Sequence, residues 1–159
     1  MPSYFPQVQT AKLSGYLKVI VDLTNATWNT MASHEVAVIT GAVHVVMLVE
    51  CTSTLTDAAD TATMSLGIEG DTDAIIGVTN VAGAGGSTLN AGQAWCDTTP
   101  TEVIGPSTTI LLDRVIMNGL DLGYEIGTAA LTGGALNFYI WWEPLNDTGS
   151  LTVGAGGSL

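Results

Sequence analysis

The chain has 159 residues, enough for one domain with ordered arms, and 47 % of them are hydrophobic. Only 11 % are Asp, Glu, Lys or Arg, against about 25 % in ordinary globular domains. Fifteen acids oppose Lys12, Lys18 and Arg114, for a net charge of -12. That balance argues against nucleic acid and anionic membranes as partners, since phosphate contacts need Lys and Arg.

Taken in chain order, residues 1–14 hold Pro2 and Pro6 without periodicity and read as an N-terminal arm. They also lack a basic start followed by an apolar run, so no signal peptide is expected, and no apolar stretch has membrane-spanning length. Tyr16 to Thr24 alternates apolar and polar positions, as a half-buried strand does. Val36–Thr40 and Ala42–Thr52 follow as strands, the second apolar on both faces. Leu55 to Met64 is expected to hold a helical turn, with Thr56 or Asp57 as its cap. Ala62–Glu69 and Ala74–Thr79, joined at Gly70–Asp73, read as a hairpin. Val81–Asn90 reads as a Gly-rich loop. Further strands are expected at Gln93–Cys96, Thr101–Ile104, Thr108–Val115, Gly123–Ile126 and Leu136–Trp142. A Gly-rich C-terminal tail, 148–159, surrounds Leu151 and Val153. Turn signals roughly every 8–12 residues suit an all-β protein. The fold expected is an antiparallel β-sandwich or barrel, jelly-roll-like, with a single domain at 15–147.

No enzyme signature stands out. Gly83–Gly86 lacks the Lys-Ser/Thr ending of a phosphate-binding loop and reads as a surface turn. His34 and His44 match no zinc spacing, and no G-x-S-x-G elbow exists. Glu69, Asp71 and Asp73 gather hard oxygens in one turn but lack the length of an EF-hand loop. Asp113, Asp121, Glu125 and Glu143 could supply a glycosidase pair, but sequence gives no separation between them. Cys51 and Cys96 are read as two separately buried thiols. No cofactor or metal is expected.

The segment NFYIWWEP is more informative. Phe138, Ile140 and Trp142 share one strand face; Tyr139, Trp141 and Glu143 share the other. Aromatics on both faces exceed what one core face needs, and aromatic residues are enriched at interfaces. Tyr139, Trp141 and Trp142, with Tyr4 and Phe5 on the arm, are the candidate interface residues. A low-charge surface lowers the desolvation cost of burying such a face.

The stretch M-S-L-G-I (Met64–Ile68), its Gly/Asp turn and A-I-I-G-V-T (Ala74–Thr79), with W-W-E-P-L-N-D (Trp141–Asp147), resembles small virion proteins of tailed bacteriophages of the capsid decoration or cement type. The resemblance implies an all-β fold, a dimer or trimer on the head surface, contact with the major capsid protein, and no enzymatic activity. It also implies synthesis in the host cytoplasm and residence in the virion. It carries over no site residue. A tail, fibre or appendage subunit is the alternative in the same class; a carbohydrate-binding module is the alternative outside it.

Overall fold

The computed structural model describes residues 15–83, 89–99, 105–156 and 159. Strands form where β-branched and aromatic side chains recur at every second position. Among the described residues they are β1 Gly15–Asp22, β2 Ser33–Thr40, β3 Val43–Asp57, β4 Ala62–Ile68, β5 Asp71–Ala82, β6 Leu112–Ile116, β7 Leu122–Gly127, β8 Leu131–Pro144 and β9 Ser150–Val153. Two four-residue helices join them, α1 at Ala26–Asn29 and α2 at Ser107–Ile110.

The strands form two antiparallel sheets, one ordered β1-β8-β3-β6 and the other β5-β4-β7-β2-β9. The pairing is nested. β1 meets β8 and β3 meets β6 in one sheet, while β2 meets β7 and β4 meets β5 in the other. One long hairpin has been wrapped into two layers, which is the jelly-roll arrangement. Among the described residues no strand pairing joins the two sheets, which form an open sandwich and not a closed barrel. β1 and β6 are the edges of one layer, β5 and β9 of the other.

The core lies between the layers. Val43, Val45, Met47, Val49 and Cys51 point inward from β3 and are fully buried, as are Leu136, Phe138 and Ile140 from β8. Leu122, Tyr124 and Ile126 of β7 meet them from the opposite sheet. The Tyr124 and Phe138 rings stack across the interior with centroids 6.2 Å apart. The buried Tyr124 hydroxyl donates to the Trp28 carbonyl at 2.7 Å, which ties α1 to the core. Burial pushes that hydroxyl's pKa far up. At Gly67 the carbonyl of Asp71 occupies the space a Cβ would need, so this hairpin requires glycine.

Several expected elements differ. The helical turn expected at 55–64 is absent. β3 continues to Asp57, and the Asp57 carboxylate then accepts from the backbone N–H groups of Ala59, Thr61 and Ala62. The capping residue was legible; what it caps is a turn between strands. The strand expected at 108–115 begins at Leu112 because α2 takes its first residues. Gln93–Cys96 makes a single bridge, Ala94 to Glu50, rather than a strand. The expectations for 1–14 and 101–104, and for residues 84–88 of the Gly-rich loop, lie outside the described residues.

The tail is built into the fold. β9 pairs with β2, and the N–H groups of Gly154 and Gly156 donate to Val36 and Glu35 carbonyls at 2.8 and 3.1 Å.

Candidate functional site

The outer face of the four-stranded sheet carries the side chains that alternate with the core. Registration across β1, β8 and β3 places Tyr16 beside Trp141 and Trp141 beside Val46. One step along, Lys18, Tyr139 and Leu48 form a second row, and Ile20, Asn137 and Glu50 a third. Tyr16 is 55 % exposed and Ile20 62 %, while Tyr139, Trp141, Val46 and Leu48 are half-buried. Large apolar side chains are therefore gathered on a surface rather than scattered over it.

Ring and polar contacts link the side chains of this face. The Tyr16 and Trp141 rings lie 5.6 Å apart at 42°. The Lys18 ammonium sits 5.2 Å over the Tyr139 ring. The Tyr139 hydroxyl donates to the Glu50 carboxylate at 2.7 Å and accepts from the Asn137 amide at 3.1 Å. The bond to Glu50 raises the Tyr139 pKa, because ionising the phenol would set two anions together.

At the end of the face His44 stands between two carboxylates. Its Nδ1 meets Glu143 at 2.9 Å and its Nε2 meets Asp113 at 2.7 Å. Carboxylates only accept, so satisfying both contacts requires both ring nitrogens to carry protons. The Glu143 bond, then the Asp113 bond, raise the His44 pKa above 6.5. No hydroxyl or thiol side chain joins the trio, so it lacks the Ser or Cys member of a Ser-His-Asp type triad and reads as a charge clamp.

The other sequence candidates are dispersed. Asp113 and Glu143 are spent on His44; Asp121 accepts from the Ile39 N–H at 2.7 Å; Glu125 takes the Thr72 hydroxyl on the outer face of the other sheet. That second face holds a polar cleft of about 200 Å³ lined by Thr63, Ser65, Asp73 and Glu125. His34 is buried against Tyr124, its Nε2 2.9 Å from the Thr30 carbonyl. Among the described residues no three His, Cys, Asp or Glu side chains are arranged to hold a metal ion, Glu69, Asp71 and Asp73 included.

Cys51 and Cys96 form no disulfide. Burial lifts the Cys51 thiol to about 11, so it is inert at neutral pH.

Of the candidate interface residues, Tyr139 and Trp141 lie on the outer face. Trp142 points the other way and packs partly buried against the core, its indole covering Gly15. Tyr4 and Phe5 lie outside the described residues. The sequence reading did not single out Tyr16, Lys18 and Ile20. Their exposure side was visible in the alternation, but their adjacency to Trp141 and Tyr139 comes from the β1–β8 pairing.

No family model matches the chain, and no curated protein matches it. Among solved structures, the chain is similar to one from the acidic stable capsid structure of Helicobacter pylori bacteriophage KHP30. The two are 13 % identical with a TM-score of 0.43, covering 87 % of this chain and 94 % of that one.

Proposed function

We propose that the protein is a structural subunit of a bacteriophage particle. In this reading it is a decoration (cement) protein that binds the outside of the head and stabilises the shell. The observation that carries the proposal is the outer face of the four-stranded sheet, where Tyr16, Trp141, Tyr139 and Ile20 gather aromatic and apolar side chains around Lys18. Its partners are further copies of the chain, as a dimer or trimer, and the major capsid protein. Two further features support it: a sequence with 11 % charged residues, and the M-S-L-G-I and W-W-E-P-L-N-D motifs. The jelly roll is a fold of viral capsid and lectin domains alike, so the fold alone decides between neither.

Buried apolar area at about 25 cal/mol per Å² supplies the attraction. Repetition on a lattice multiplies it through avidity. The test is co-sedimentation of the purified protein with phage heads lacking it, followed by thermal challenge of the heads. Saturable binding that raises the rupture temperature supports decoration. Self-polymerised tubes or filaments that ignore heads support a tail or appendage subunit instead.

The pairing of exposed Tyr16 with half-buried Trp141 also suits sugar stacking. A carbohydrate-binding module predicts glycan-array binding that Trp141→Ala abolishes; decoration predicts no such binding.

A further inference from the structure

A groove of about 290 Å³ lies at the open edge of the sandwich, where β6 of one sheet runs beside β5 of the other. Its lining is apolar: Ile68, Ile75, Val115, Met117 and Leu120. Val115 is 58 % and Met117 53 % exposed, so two large apolar side chains stand in water at this edge. Among the described strands β6 pairs with β3 alone and β5 with β4 alone. One backbone edge of each is left open to accept an extended segment.

Acidic residues stand beside the groove. The β4–β5 hairpin that supplies Ile68 and Ile75 to its lining carries Glu69 and Asp71 at its turn, both exposed. The cation at the rim is Arg114, and it is turned back on its own strand, donating to the Asp113 carbonyl at 2.7 Å.

Resting on the assembly reading above, we infer that this groove receives residues 1–14 of a second copy of the chain. Three observations point to that occupant. First, the segment has matching chemistry. It contains Lys12 and no acid, whereas the rest of the chain holds all 15 acids; it also offers Tyr4, Phe5, Val8 and Leu13. Second, it leaves from the right place. Gly15 pairs with Trp142, Trp142 with Val45, and Val45 with Arg114, so the chain enters β1 on the same row as the groove but at the opposite edge of the sheet. Third, the distances suit a neighbour. Its own groove lies three strand spacings away, roughly 14 Å, across the aromatic outer face. When the β1 edge of one copy abuts the β6 edge of the next, the segment emerges directly at the neighbour's groove. Fourteen residues reach at most about 50 Å, more than the groove requires. Such an edge-to-edge contact is heterologous, and it closes into a ring when the rotation allows.

The experiment uses the full chain with p-benzoylphenylalanine replacing Phe5, mixed with isotopically heavy chain and irradiated. The expected result is cross-links between light and heavy copies, mapping to peptides that contain residues 114–120. These cross-links should fall at least tenfold in Met117→Asp, whose circular dichroism checks that it remains folded. Cross-links confined to one copy, or mapping away from the β5–β6 edge, overturn the inference while an oligomeric mass leaves the assembly reading standing. A chain that stays monomeric and ignores heads overturns the assembly reading itself.

Discussion

Two carboxylates share the imidazole of His44, and that sharing has a pH signature. The His44 pKa is raised in the folded chain, by Glu143 first and Asp113 second. A raised folded value means stability that is fully present below the ordinary imidazole value of 6.5 and is lost as pH rises through the folded value. Thermal unfolding of the native chain should therefore occur at falling temperature as pH climbs above 6.5, and His44→Gln should flatten that slope. Equal slopes in the two proteins would show that the clamp does not titrate as described.

Asp57 gives the opposite sign. Burial works against its ionisation, but N–H donors from Thr61, Ala62, Asp60 and Ala59 prevail and lower its pKa. Its stabilisation is present above the ordinary carboxylate range and disappears as pH falls through the lowered value. Asp57→Ala should cost about 1 kcal/mol at neutral pH, the magnitude of a lost cap, measured by urea unfolding.

At the scale of the element, β8 divides structure from function by alternate residues. Phe138 is fully buried and stacks on Tyr124. Phe138→Ala should destabilise the fold by about 3–5 kcal/mol. Trp141, three positions on, lies on the other face. Trp141→Ala should leave the melting curve nearly unchanged and weaken self-association or head binding by tenfold or more, the scale of an interface hot spot. A Trp141 variant that unfolds, or that assembles normally, contradicts the face assignment.

This division was legible in the sequence, because strand alternation is a local property. Val43, Val45, Met47, Val49 and Cys51 could be assigned to one face before any fold was known. What misled was composition. Ala58, Ala59 and Ala62 are helix formers, yet Asp57 closes a tight turn that carries β3 into β4. By sequence, Leu151 and Val153 belong to a Gly-rich tail. Their order comes from hydrogen bonds to β2, more than a hundred residues away in sequence, which no local pattern records.

At the scale of the molecule, turn spacing announced the sandwich but not the nesting of β1 with β8, β2 with β7, β3 with β6 and β4 with β5. That nesting is what places Tyr16, Lys18 and Ile20 beside Tyr139 and Trp141 to complete one face. It also leaves β6 and β5 as neighbouring edges with an apolar groove between them. In the proposed assembly both features would meet another chain, and the low charge of the sequence lowers the desolvation cost of such contact.

The most direct test is the mass of the full chain by sedimentation equilibrium across a wide concentration range, compared with Trp141→Asp. The account predicts a small multiple of 16.4 kDa for the native chain and a shift toward the single-chain mass for the variant. A native chain that remains at 16.4 kDa throughout, or a folded variant with unchanged mass, contradicts it.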